Sequence, residues 1–264
     1  TNIIGTLRAA AMPVLYLDWE TDDRTQKERV RAICSSATPT AVPPIYYRRQ
    51  VASLPESAAE IRRIIHQLGI GMVVVDSLAA ARGGEPESAE VTNQLFNAAA
   101  SFRVPWLGID HVTKAGGADS AKPFGSVFTA NRARLTWSVD KHQEADTSWM
   151  TVALTNRKSN NGRKMGRIGY RLDFETVDET DPQSPLISIL IARTAPMADP
   201  ELARRGTPRD RIRAIIADRF LRPKDIEDET TLPGGTVRAA LKWMREHGEV
   251  GIDDDGRYGL LRTN

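Results

Sequence analysis

The stretch Gly71-Met72-Val73-Val74-Val75-Asp76-Ser77-Leu78 constrains the fold of this chain most strongly. A β-branched run without polar alternation reads as a strand buried on both faces, the condition of a central strand in a parallel sheet. The run ends in Asp76. A carboxylate where a parallel strand stops points into the crevice at the carboxyl edge of the sheet, where open α/β folds bind ligands. There it can hold a hydrated magnesium ion beside a nucleotide's phosphates, since that ion takes one or two carboxylates plus phosphate oxygens. An Asp in that place also serves as an ordinary helix cap.

A chain of 264 residues accommodates one α/β core and a small second domain. Lys and Arg number 36 against 34 acids, so any basic surface must be local. Cys34 is the single cysteine, which excludes an internal disulfide framework and a cysteine-built zinc site. No apolar run reaches membrane-spanning length and no signal peptide is visible, so the expectation is a cytoplasmic protein without membrane contact.

Strand and helix patterns alternate through the first half. Ile3, Ile4, Leu7 and Ala10 have helical spacing, Val14 to Leu17 is a strand ending in Asp18-Trp19-Glu20, and Arg24 to Cys34 is a helix. A short strand falls within Pro43 to Val51. Ser57 to Leu68 follows as an amphipathic helix, with Ser57 and Glu60 as its capping box. Ser88 to Phe102 is helical, and Val104 to Asp110 is a third strand with His111 just past its end. Thr113 to Gly125 reads as a mobile loop. Strands then succeed one another at Ala133 to Val139, Ser148 to Leu154, Ile168 to Phe174 and Leu186 to Ile191, with Asn156 to Arg167 as a basic hairpin or loop. The order predicts an α/β fold, a mostly parallel sheet flanked by helices with an antiparallel flank. Residues 1–193 form this domain, 194–206 a linker with Pro196 and Pro200, and 207–264 a second domain.

That last segment reads as a small winged helix-turn-helix. Helices run from Pro208 to Ala217, from Pro223 to Glu227 and, capped by Thr236, to His247; the Asp253-Asp254-Asp255-Gly256 turn then closes a hairpin. Arg238, Lys242 and Arg245 make a basic stripe on the third helix, the element that commonly enters the major groove. The three wing-tip acids oppose DNA, leaving protein docking open.

Several separated stretches together resemble the RecA-like ATPases of the hexameric replicative-helicase type, especially those encoded by plasmids and phages. The matching residues are Val14 to Glu20, Gly71 to Leu78, His111 to Lys114, Gly125-Ser126 with Asn131 and Arg134, and Asn156 to Asn160. The resemblance implies ATP and magnesium as cofactors. It makes Asp76 the carboxylate that holds magnesium through water and Glu20 the acid that activates the attacking water, with Asp18 as rival or supporting partner. His111 becomes the sensor of the γ-phosphate. Lys114 and Lys122 become pore-loop contacts to single-stranded DNA. Arg157 and Lys158 become a finger reaching a neighbouring subunit's nucleotide, which implies a homo-oligomer, a ring of six. Duplex DNA is the second partner, reached through the winged helix. No Gly-Lys pair occurs in the 264 residues, so the phosphate-binding loop is absent; the expectation is an N-terminally truncated piece, with Thr1 at or near the magnesium-binding hydroxyl residue and the fragment itself inactive. A winged-helix regulator with a nucleotide-sensing or inactive RecA-like domain, and a recombination or repair ATPase, stand as alternatives.

Overall fold

The computed structural model describes residues 12–36, 44–85, 87–111, 127–181, 183–195 and 199–261. Its first half is built from β1 (Val14–Asp18), α1 (Asp23–Ser36), β2 (Ile45–Arg49), α2 (Leu54–Leu68), β3 (Met72–Asp76), α3 (Leu78–Ala81), α4 (Ala89–Ala100) and β4 (Trp106–Ile109). The four strands form one parallel sheet in the order β2-β1-β3-β4. Val73, Val74 and Val75 of β3 are all buried, as their unbroken apolar run requires. Leu15 and Leu17 of β1 with Val73 and Val75 of β3 pack against Leu54, Ile61 and Ile65 of α2 and Leu95, Phe96 and Ala99 of α4. This core fixes where β1 and β3 end, side by side.

Helix α2 starts four residues earlier than its sequence pattern predicts. Ser53 is the N-cap and its N–H is accepted by Glu56 at 2.9 Å, with Pro55 in the first turn. Ser57 is instead buried inside the helix, and Glu60 pairs with Arg48 at 2.7 Å. The chain leaves α2 through Gly69, whose φ of 59° is the left-handed conformation that glycine adopts without a steric cost.

After α5 (Val127–Arg132), the strands β5 (Leu135–His142), β6 (Trp149–Ser159), β7 (Ile168–Thr176) and β8 (Leu186–Thr194) form an antiparallel meander. The predicted antiparallel flank is therefore a sheet of its own, because sequential strands joined by turns pair with each other. Helix α1 packs on β8: the Leu186 N–H donates to Glu28 at 2.7 Å and the Ser35 hydroxyl to the Ile187 carbonyl at 2.9 Å.

The segment read as a linker holds α6 (Pro200–Arg204), tied to the antiparallel sheet. Asp199 caps α6 through the N–H groups of Glu201 and Leu202 and accepts hydrogen bonds from His142, at 2.8 Å, and from the Thr151 hydroxyl. Burial pushes its pKa up, but these donors outweigh burial and bring it down to about 2. Arg167 adds a 2.8 Å bond to the Leu202 carbonyl.

The last residues form α7 (Pro208–Ile215), α8 (Pro223–Thr230), α9 (Gly234–Glu246) and the hairpin β9 (Val250–Ile252) and β10 (Tyr258–Leu260). Leu221 bridges to Tyr258 as a third, one-residue strand. A separate core of Ile212, Ile216, Ile226, Val237, Leu241, Met244 and Val250 holds the helices together. Helix α9 begins at Gly234 after Pro233, so Thr236 lies inside it and is not its cap. Helix α8 runs on to Thr230, beyond the predicted Glu227.

Candidate functional site

The register of the parallel sheet places Asp18 opposite Asp76, and the N–H of Trp19 donates to the Asp76 carbonyl at 2.7 Å. The next residue, Glu20, therefore leaves β1 on the same sheet edge where β3 delivers Asp76. From β4, His111 joins them: its Nε2 lies 3.0 Å from Glu20 Oε1. Three elements thus bring Glu20, Asp76 and His111 to one edge of the sheet.

The acids at this edge differ in environment. Asp18 is fully buried and is spent on shaping the turn: its carboxylate accepts the N–H groups of Glu20 at 2.7 Å and Thr21 at 2.8 Å, the Thr21 hydroxyl, and Gln26 at 3.2 Å. Burial raises its pKa, yet the Thr21 hydroxyl and the turn's N–H groups more than compensate and leave it below the ordinary value. Asp18 thus holds the backbone of the turn that carries Glu20. Glu20 has a 38% exposed side chain. The Ser77 hydroxyl and then His111 hold its carboxyl below the ordinary range. Ser77 Oγ is buried without a hydrogen-bond partner, so the geometric contact of the Glu20 carboxylate is His111. Asp76 moves the other way. Burial raises it, the charges of Glu20 and Asp18 push in the same direction, and a 2.5 Å hydrogen bond from the Tyr16 hydroxyl opposes them. His111 is raised, by its hydrogen bond to Glu20 first and by that acid's charge second.

Tyr16 is a site residue that the sequence reading overlooks. Its signal was present, because a tyrosine inside the apolar strand Val14-Leu15-Tyr16-Leu17 must find a partner for its hydroxyl when buried. Burial and the contact with Asp76 push its phenol well above the ordinary value. The Asp76–Ser77 peptide is cis.

Among the described residues no group of three or more His, Cys, Asp or Glu side chains converges on a metal position. The donor set is one half-buried carboxylate, Asp76, with Glu20 nearby. Such a set fits magnesium, which keeps several waters and takes the rest of its oxygens from phosphates.

The other predicted residues stand apart. Arg157 and Lys158 lie within β6, not on a loop, because pairing with β5 extends that strand to Ser159. Arg157 Nε donates to Ser138 Oγ at 2.9 Å. Lys158 Nζ reaches the carbonyls of Ala130, at 3.0 Å, and Asn131, at 2.8 Å, near the end of α5. Thr1, Lys114 and Lys122 fall outside the described residues. Arg238, Lys242 and Arg245 are exposed along α9, with Arg238 3.8 Å from Glu227. The neighbouring Trp243 ring is packed by the Arg209 guanidinium at 3.9 Å and stacked with the His247 ring at 3.7 Å. At the hairpin tip Arg257 pairs with Asp253 and Asp255, each at 2.8 Å, so two of the three tip acids are compensated.

Among the described residues, no helix is long and apolar enough to cross a membrane. Two concave surfaces, one on α2 around Arg62 and His66 and one beside Trp243, lie away from the Asp76 edge. Residues 2–117 match the family described as AAA domain, a span that includes Glu20, Asp76 and His111 and leaves out the antiparallel sheet and everything after it. No curated protein matches the chain. Among solved structures, the chain is similar to a KaiC-like protein of the hyperthermophilic archaeon Pyrococcus horikoshii OT3, with 12% identity over 69% of this chain and 76% of that one and a TM-score of 0.45.

Proposed function

We propose that residues 1–193 are a RecA-like ATPase domain of the plasmid or phage replicative-helicase type, and that residues 207–264 are a winged helix that contacts DNA. The observation that carries the reading is the meeting of Glu20, Asp76 and His111 at the carboxyl edge of β1, β3 and β4, with the pKa values of the two acids displaced in opposite directions. Phosphoryl transfer to water needs positioning and charge stabilisation more than covalent chemistry. Glu20, kept ionised by Ser77 and His111, is suited to accept the proton of the attacking water. Asp76, aimed by Tyr16, would hold magnesium through water; the ion supplies charge neutralisation beside the phosphates. His111, bonded to Glu20, would register the γ-phosphate by exchanging that partner.

For a finger reaching a neighbouring subunit in a homo-oligomer, Arg157 is better suited than Lys158, whose ammonium is committed to α5. The order helix, bridge strand, two helices and hairpin supports the winged helix, and the exposed Arg238, Lys242 and Arg245 suit phosphate contact. Trp243 is already engaged by Arg209 and His247, so the reading assigns it no base stacking. Glu20→Gln should keep ATP binding and lose about 100-fold or more in single-strand-stimulated turnover; undiminished turnover removes Glu20 from the mechanism.

A further inference from the structure

The mechanism above leaves one deeply buried charged group unused. Arg82, at the end of α3, has a side chain with 0% exposure. Its NH2 group lies 2.8 Å from Asp110 Oδ2 and 3.1 Å from the Thr129 hydroxyl of α5. Asp110 is itself 10% exposed, and its other oxygen accepts the N–H of His111 at 3.2 Å. His111 then reaches Glu20 at 3.0 Å. The contacts form one chain from the interior to the proposed water-activating acid: Thr129 and Arg82, Asp110, His111, Glu20.

A buried ion pair is a poor device for stability alone, since well-packed apolar residues of similar volume serve as well. It is a good device for fixing geometry. The end of β4 is an edge of the parallel sheet, and Ile109 beside it is 40% exposed, so packing alone leaves His111 loosely held. We propose that Arg82 is a positioning residue: by gripping Asp110 and Thr129 together it holds the end of β4 so that His111 meets Glu20. The inference rests on the assignment of Glu20 and His111 to the active site, but its geometry can be read without turnover.

The readout is the NMR titration of the His111 ring in the full chain, assigned with His111→Gln, beside Glu20→Gln as the reference for a broken contact. Glu20, Asp110 and Asp76 are the acids whose charges act on His111. In Arg82→Met a change has three possible origins. Loss of a nearby cation by itself raises the His111 pKa, whereas loss of the Glu20 contact lowers it toward the ordinary value of about 6.5. The third, neutralisation of Asp110 without its cation, also lowers the His111 pKa, and Arg82→Lys separates it from loss of the Glu20 contact. The expected result is a fall to within about half a unit of the Glu20→Gln value. Removing one partner of a buried pair is strongly destabilising, so Arg82→Lys provides a second variant. It keeps the charge that holds Asp110 ionised but not the planar fork, and is expected to show a partial fall. A His111 pKa that stays at or above the wild-type value in the folded variants overturns the proposal. If the pKa falls as expected while Glu20→Gln leaves ATP turnover intact, Arg82 keeps its positioning role and the ATPase reading fails.

Discussion

The carboxyl edge of the parallel sheet and the outer face of α9 both present charged side chains to solvent, yet they are built differently. At the edge, Asp18, Glu20, Asp76 and His111 come from three strands, share partners and shift each other's proton affinity. On α9, Arg238, Lys242 and Arg245 are exposed along a single helix, and among the described residues only Arg238 has an ion pair, a long one. Coupled groups in a crevice are the arrangement that chemistry demands; independent cations on a helix are the arrangement that phosphate binding demands. Burial and coupling, rather than charge count, distinguish the two surfaces.

The contrast breaks most visibly in stability. Replacing Asp18 by Ala leaves the buried donors of the Thr21 turn unsatisfied and is expected to cost about 3 kcal/mol in chemical denaturation. Its pKa is lowered in the folded state, so its contribution is fully present above its unfolded value and is lost as pH falls through the folded value. The difference in stability between wild type and Asp18→Asn should therefore narrow at acid pH. An unchanged gap on acidification means that Asp18 is not ionised in the fold.

The smaller effect lies on α9. Single Ala substitutions at Arg238, Lys242 and Arg245 should change stability by less than about 0.5 kcal/mol. Each should reduce the slope of log affinity against log salt for duplex DNA by about 1, equally for all sequences. An unchanged salt slope in all three variants makes that face a protein-docking surface.

Much of this was legible in the sequence. The Val73 to Val75 run, the strands ending in Asp18 and Asp76, His111 after β4 and the Asp-Gly hairpin all carry their signals within a few residues. What escaped depended on context. Ser53-x-x-Glu56 and Ser57-x-x-Glu60 are both capping boxes on paper, and Pro55, which fits the first helical turn, together with the packing of Leu54 into the core selects the first. The polar residues Asn156 to Ser159 look like a loop until pairing with β5 draws them into β6. Pro200 reads as a linker breaker, although Asp199 before it is an N-cap and the proline fits the first helical turn. The Arg82–Asp110 contact joins residues distant in sequence and leaves no local pattern, whereas Tyr16 shows a buried hydroxyl in need of a partner without showing that the partner is Asp76.

The central claim is that Asp76 and Glu20 share one metal and nucleotide pocket with His111 at its rim. Replacing magnesium by Mn2+ in the presence of ATP tests it directly, because the paramagnetic ion broadens the NMR signals of groups close to it. The account predicts that the His111 ring signals broaden strongly in the wild type and far less in Asp76→Asn at the same metal concentration. Sharp His111 signals in the wild type, or equal broadening in the two proteins, would contradict it.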